Sequence, residues 1–468
     1  MTAVETNYHE GLMHRLVNIY QDVDTTILGA IADRVLARLD DASTPGIGAA
    51  SRWDESSCLL ISYADSITDG RKSSLACLGE FVETHLNDVI DSVHILPFFP
   101  STGDDGFSVV DYRTVDPRLG SWGDLTNMSS SRKIMADVIL NHGSRSSAWF
   151  RQFVDGEAPG NGYFLSVDDD FDVSHVIRPR EHALLQPVTT VGGEKKVWCT
   201  FSEDQVDFDF SNPLLLEEFI GIILDFIDHG VRILRLDAVG FLWKETGTTC
   251  LNLHQTHAII QLIRYIADIY DDETVIVTET NLPNHENLSY FGNGNEAHWI
   301  YNFSLPPLIL YSLLFADSSI LRRWSMSMPP ALIGTSYLNF LSSHDGFGMR
   351  PTEGLLDATQ RQRLLDRLEA NGSLFSRRAK ADGTTSVYEA NTTLFSALEK
   401  SDGDPTGALR SARFIAAYAL MFGLEGIPAI YFNSLISAQN HTDGVARSGM
   451  KRRINRQKFE KDWLDDRL

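Results

Sequence analysis

The sequence predicts an α/β chain built as a (β/α)8 TIM barrel. Short apolar runs of strand length alternate with longer stretches of helical periodicity, a pattern that specifies parallel strands joined by right-handed crossovers. Eight such runs can be followed along the chain, the number a closed barrel needs. Polar residues gather just past the ends of these runs, at His142, Asp237, Glu279 and Asp345, and in a barrel those ends share one face. An open doubly wound sheet is the alternative, but no Gly-rich phosphate turn follows the first strand.

Taken in order, residues 10–42 read as helix, with Leu12, Leu16, Ile19, Tyr20, Ile27, Ile31, Val35 and Leu36 at helical spacing. Cys58 to Tyr63, CLLISY, is the first buried strand, and Leu75 to Val89 an amphipathic helix. Ser92 to Pro97 is the second strand, followed by a Gly- and Asp-rich loop, STGDDGFSVVDY. Trp122 to Met128 begins a helical connection to the third strand, Lys133 to Leu140, which ends at Asn141-His142. From 143 to 213 the rhythm breaks. Gly, Pro and Asp are frequent there, with short β-like pieces such as Lys196 to Phe201. So long an irregular stretch is a small inserted domain when it has a core of its own, and Trp149, Phe150, Phe153, Tyr163, Phe164, Trp198 and Phe201 supply one.

The alternation resumes with a helix from Leu214 to His229, the strand opening at Val231, and a helix from His254 to Tyr270. Thr274 to Thr278 is the fifth strand, Ala297 to Phe303 the sixth and Tyr337 to Ser342 the seventh. A second irregular insertion, 346–405, precedes a helix from Thr406 to Phe422 and the eighth strand, Gly426 to Phe432. The chain therefore divides into barrel (1–142), inserted domain (143–213), barrel (214–345), second insertion (346–405) and barrel (406–468).

Composition narrows the function. With 43% hydrophobic and 22% charged residues the chain is of ordinary globular type. Its 40 Lys+Arg against 63 Asp+Glu give a net charge of -23, which repels phosphate backbones and anionic bilayers and argues against nucleic-acid or membrane partners. Cys58, Cys77, Cys199 and Cys250 form no CxxC or Cys/His ligand pattern, so no metal is expected. The N-terminus has no basic start followed by an apolar core, and no run approaches bilayer length, so a cytoplasmic location is expected.

The stretch VRILRLDAVGFLW, Val231 to Trp243, concentrates the chemistry. Arg235 and Asp237 leave the same face at the end of a buried strand. A structural ion pair and a carboxylate held ionised for catalysis are both open readings of that pair. Asp237 beside Arg235 is expected to have a lowered pKa, as suits a nucleophile. Glu279 follows an apolar strand without an adjacent basic residue, so a raised pKa and general-acid work are expected, or else a helix-capping charge. His344-Asp345, followed by glycine, reads equally as a turn. Three carboxylates converging beside two histidines and an arginine suit cleavage of an acetal.

The stretches ADVILNH (136–142), RILRLDAV (232–239), ETN (279–281) and SSHDG (342–346) resemble the α-amylase family of glycoside hydrolases in order, spacing and context. ILPFFPSTGDDGFSVVDY (95–112), LGSWGDL (119–125), TFSEDQVDFDFSNP (200–213) and RRINR (452–456) are similar to its sucrose phosphorylase branch, and the resemblance covers nearly the whole chain. It implies that Asp237 is the nucleophile, Glu279 the general acid/base and Asp345 the carboxylate gripping the sugar hydroxyls. It further implies that Asp104, His142, Arg235, His344 and Arg452 line the glucose subsite with Phe107 as a wall. Phe201 and Gln205 would open the acceptor side, although core packing stays open for Phe201.

The implied reaction is a retaining phosphorolysis of an α-glucoside to α-glucose 1-phosphate by two displacements, with inorganic phosphate as co-substrate and no cofactor or metal. A retaining α-glucosidase or transglucosidase, and an inactive carbohydrate-binding barrel, are the alternatives. Two departures from the branch stand out. Phe241 occupies the place where many sucrose phosphorylases carry Tyr, so the pattern looks more like phosphorylases of glucosylglycerol, glucosylglycerate or sucrose 6'-phosphate. A charged acceptor needs cations, and Lys244, Arg350, Arg377 and Arg378 are the candidates, each also readable as a solvated surface charge. After RRINR only QKFEKDWLDDRL follows, so the small C-terminal β-domain usual in the family is expected to be missing.

Overall fold

Eight short strands, β1 (Leu59–Ser62), β2 (Ser92–Ile95), β3 (Lys133–Ile139), β4 (Val231–Asp237), β5 (Val275–Thr278), β6 (Trp299–Tyr301), β7 (Ser336–Phe340) and β8 (Ile427–Tyr431), close into one barrel. Each pairs in parallel with its neighbours in sequence, and β8 returns to β1 through Leu59↔Ala429. The structure, a computed structural model, describes residues 3–40, 52–379 and 384–467. Helices α1 (Ala3–Ile19), α2 (Thr25–Asp40), α3 (Ser74–His85), α4 (Trp122–Ser129), α5 (Pro213–Asp228), α6 (His254–Tyr270), α7 (Leu305–Phe315), α8 (Ser319–Ser327) and α9 (Arg410–Phe422) run between or beside the strands. Every residue of β1, β2 and β5 is buried, as expected of parallel strands covered by helices outside and filled by side chains inside.

Local chemistry sets the element ends. Asn212 accepts from Leu214 N with Pro213 in the first turn of α5, and Ser121 and Asp124 form a capping box on α4. On α5, Leu215, Leu216, Phe219, Ile220, Ile222 and Ile223 are among the buried residues, each contributing about 1.5–3 kcal/mol of transfer free energy. That face holds the outer layer against the strand that carries Asp237.

The stretch after β3 contains a helix, Ala148–Asp155, and a three-stranded antiparallel sheet of Ser166–Val167, Leu185–Thr190 and Gly193–Trp198. Phe150, Phe153, Tyr163, Phe164 and Trp198 are buried in it, while Phe201 is only half-buried. The stretch after β7 carries a helix, Ala358–Ala370, and a hairpin of Leu374–Ala379 with Thr385–Asn391. The two approach across the mouth of the barrel, where Ala379 N donates to Arg180 O at 3.5 Å.

Several boundaries differ from expectation. The helix expected over residues 10–42 is two helices. Asp24 Oδ1 accepts from Thr26 N at 2.8 Å and starts α2, Tyr20 turns inward to donate to Phe210 O, and Ile27 is exposed. Residues 41 and 42 lie outside the described residues. The helix expected from Thr406 begins at Arg410, because the Asp404 carboxylate takes the amides of Ala408 and Leu409. The sixth strand is shorter than expected, Trp299–Tyr301 rather than Ala297 to Phe303. Among the described residues no helix is long and apolar enough to cross a membrane.

Candidate active site

Register brings the first charged group together. Arg235 of β4 lies opposite Asp137 of β3, and Asp237 opposite Ile139. Arg235 Nη1 donates to Asp137 Oδ1 and, at 2.6 Å, to Asp237 Oδ1. On the far side, His94 of β2 holds Asp137 Oδ2 at 2.8 Å. His94, Asp137 and Arg235 are at most 2% exposed, so a row of polar groups runs through the barrel and ends at Asp237. A buried charge requires such partners, because an isolated one costs several kcal/mol.

Directly after Asp237 the chain turns through Ala238, at φ 49° and ψ 29°. A non-glycine residue in that region costs about 1–3 kcal/mol, and here the turn aims Ala238 N at Glu279 Oε2, 3.0 Å away. Arg235 Nη2 lies 4.0 Å from the same Glu279 oxygen. One guanidinium therefore reaches both carboxylates. Glu279 has a basic neighbour after all, contributed by the adjacent strand and invisible in its own sequence context.

The electrostatics correct a second expectation. Asp237 was expected below the usual carboxylate range because of Arg235. Burial instead dominates, Glu279 and Asp137 add their repulsion, and its pKa rises to about 8. Glu279 is raised too, by burial and by Asp345. The two carboxyls lie close enough to titrate as a pair. Arg235 bonds Asp237 directly and only approaches Glu279, an arrangement that favours the charge on Asp237.

Asp345 behaves oppositely. Burial alone would raise it, but Arg452 Nη1 at 2.8 Å, His344 Nε2 at 3.3 Å and Arg456 Nη2 at 3.6 Å hold it well below the usual carboxylate range. Burial keeps both histidines neutral, His142 down to about 4 and His344 well below its ordinary value. His344 stacks on Phe107, centroids 4.9 Å apart with planes 7° from parallel. Asp104, at φ 46°, faces Arg452 at 3.4 Å and Arg456 at 3.3 Å.

These groups line a cleft at the C-terminal end of the barrel. Asp237, Glu279, Asp345, Asp104, Phe107, His142, Phe201, Gln205, His344 and Arg452 all face it. Arg235, expected in the glucose subsite, does not: its guanidinium is consumed by Asp137 and Asp237 beneath the floor. Phe201 is no core residue, since it lines the cleft edge-on to Phe241 with centroids 5.5 Å apart. Sequence reasoning missed Arg180, Asn281, Phe303, Tyr388 and Glu389, which also line the cleft. Arg180 and Tyr388 sit in the two irregular stretches, where no periodicity marks a residue. It also missed Arg456, fully buried, which donates to His344 O at 2.8 Å and to Asp105 at 2.8 Å; Arg452 and Arg456 of RRINR both bear on the site.

The four cation candidates separate. Lys244 is buried against Asp207, 2.7 Å away, and Asn141, 2.9 Å away, so it is neither in the cleft nor solvated. Arg378 pairs with Glu353 at 2.6 Å, and Arg377 is exposed on the second excursion. Arg350 alone of the four lines the cleft. Among the described residues no group of three or more His, Cys, Asp or Glu side chains is arranged to hold a metal ion.

A closed parallel barrel with three carboxylates at its strand ends is the architecture of the alpha-amylase catalytic domain, whose sequence profile matches residues 86–345, and the chain belongs to that family. Within it, the chain is 41% identical over 446 residues to the glucosylglycerate phosphorylase of Allomeiothermus silvanus, covering 94% of this chain and 80% of that one. It is 39% identical over 409 residues to the glucosylglycerate phosphorylase of Escherichia coli, covering 87% and 73%. The crystal structure of sucrose 6F-phosphate phosphorylase from Thermoanaerobacter thermosaccharolyticum superposes with a TM-score of 0.78 at 27% identity, over 90% of this chain and 85% of that one.

Proposed function

We propose that this chain is a retaining α-glucoside phosphorylase whose donor is an α-glucoside of glycerate. The observation that carries the reaction type is the single arginine, Arg235, reaching two buried carboxylates, 2.6 Å from Asp237 and 4.0 Å from Glu279. That arrangement supplies a nucleophile and an acid side by side, the requirement of a double displacement.

Ionised Asp237 attacks the anomeric carbon and forms a glucosyl ester, while Glu279 gives its proton to the departing oxygen as the C–O bond breaks. Phosphate then attacks the same carbon, the now ionised Glu279 takes its proton, and Asp237 leaves as carboxylate. Two inversions yield α-glucose 1-phosphate. Asp345, held ionised by Arg452, grips the sugar hydroxyls, with Asp104, His142 and His344 completing the polar set and Phe107 as the wall.

Arg180 supports phosphate as acceptor. It lies over the rings of Phe201 and Tyr388, 5.7 and 5.4 Å from their centroids, and no described carboxylate is within ion-pair reach of it. A guanidinium at a cleft without its own counter-ion suits an incoming oxyanion. Glycerate as aglycone rests on the relatives named above. The test is release of glucose 1-phosphate from α-glucosylglycerate with and without phosphate. Phosphate-dependent glucose 1-phosphate is expected. Free glucose at an equal rate without phosphate makes the protein a glucosidase, and no turnover of any α-glucoside makes it a binding protein.

A further inference from the structure

Arg350 has an environment that neither the fold nor the double displacement requires. It lies just past the Asp345 turn, is 7% exposed, and lines the cleft. Its guanidinium donates a hydrogen bond to none of the described residues. The nearest carboxylate oxygen, Glu286 Oε2, is 3.8 Å away and already accepts from Asn252 Nδ2 at 2.8 Å. Buried arginines ordinarily place their five donors on carboxylates or carbonyls, as Arg456 and Arg413 do here. A largely desolvated guanidinium with its donors unused is a standing cost that an anion in the cleft removes.

Its position identifies the side. Glu286 belongs to the short helix Asn284–Leu288, which follows Glu279 out of β5. Glu279 protonates the leaving oxygen, so the group entering between it and Arg350 is the aglycone. Asp104, Arg452 and Arg456 lie around Asp345 and belong to the glucose end. Arg180 lies over the Tyr388 ring, 5.4 Å from its centroid, and Tyr388 is within the electrostatic reach of Arg180, Arg350 and Glu279. The cleft that Arg350 lines also presents apolar side chains, Leu282 and Phe303, and the Asn281 amide. A small aglycone with one anionic end suits that mixture of surfaces.

We propose that Arg350 is the specificity-determining residue that binds the aglycone carboxylate, leaving Arg180 for phosphate. This rests on the retaining reading of the site, and it assigns the acidic α-glucoside preference to one side chain. Planar guanidinium against planar carboxylate allows a two-bond contact that a glycerol hydroxymethyl cannot make. Leaving the buried cation unpaired is the larger part of the discrimination.

The experiment compares α-glucosylglycerate with α-glucosylglycerol, the same skeleton with the carboxylate replaced by hydroxymethyl, in the wild type, Arg350→Gln and Arg350→Lys. Released glycerate or glycerol is measured separately from glucose 1-phosphate, so donor cleavage is read whether or not phosphate accepts the glucosyl group. The wild type should prefer the glycerate donor, and Arg350→Gln should lower the ratio of the two kcat/KM values by roughly 100-fold. Most of that change should fall on KM for the glycerate donor, with Arg350→Lys restoring part of it. An unchanged ratio in Arg350→Gln, or an equal loss on both donors, overturns the assignment. Glycerate release without glucose 1-phosphate refutes the phosphorylase reading instead and leaves the ratio to judge Arg350.

Discussion

Replacing the proposed nucleophile should stabilise the protein in alkaline solution. Asp237 in the fold has its pKa raised from 3.8 to about 8. Between those values the folded state keeps a proton that the unfolded state has released. Stability therefore falls as pH rises across that window, and the full penalty is present above the folded value. At about 1.4 kcal/mol per unit the gross cost is roughly 6 kcal/mol, an amount that belongs to the Asp237–Glu279 pair. Asp237→Asn removes the charge but weakens the 2.6 Å contact with Arg235, a loss of about 2 kcal/mol for a charge-assisted bond. Arg235 retains Asp137. The net gain near pH 9 is then about 4 kcal/mol, and at pH 5, where the Asp237–Glu279 pair keeps its proton, the variant should be equal or slightly less stable. With an unfolding entropy of about 1 kcal/mol/K for a chain of 468 residues, the alkaline gain is about 4 °C in Tm. Calorimetry of both proteins at pH 5 and pH 9 measures it. A variant no more stable than the wild type at pH 9, or a difference independent of pH, refutes the reasoning.

The same pair sets the activity profile. Because the acid must be protonated and burial raises Glu279, kcat/KM should fall as pH rises into the alkaline range, and a flat profile to pH 10 would contradict an acid role for Glu279. Glu279→Gln should lose about 10³-fold in kcat on a glucoside, yet form the glucosyl-enzyme rapidly from α-glucosyl fluoride, whose leaving group needs no proton; equal impairment on both donors rules out an acid role. Lys244→Met leaves the buried Asp207 with only Asn141 and Thr200 as partners, which should cost about 3–5 kcal/mol and lower Tm by a few degrees, readable by thermal melts.

Most of the barrel was legible because each strand is a local signal: a buried run such as Leu59–Ser62 or Val275–Thr278, the latter followed at once by Glu279. The carboxylates could be named for the same reason, and the family resemblance extended the site to Asp104, Phe107 and Arg452. What escaped depends on contacts between distant segments. The raised pKa of Asp237 comes from burial against Glu279, 42 positions along, and from Asp137 on another strand. Arg235 reads as a glucose ligand until the register places Asp137 beside it. Lys244 and Arg350 look alike in sequence, and only the fold buries one on Asp207 and turns the other into the cleft. Arg180 and Tyr388 lie in the two stretches inserted after β3 and β7, Tyr388 on the hairpin strand Thr385–Asn391, and their meeting at the cleft is a contact between distant segments that no local pattern announces.

The central claim is transfer of glucose to phosphate with retention at the anomeric carbon. Proton NMR of the first product formed from α-glucosylglycerate in phosphate buffer tests it directly. α-Glucose 1-phosphate as the initial product is the predicted result; β-glucose 1-phosphate, or free glucose as the initial product, contradicts it.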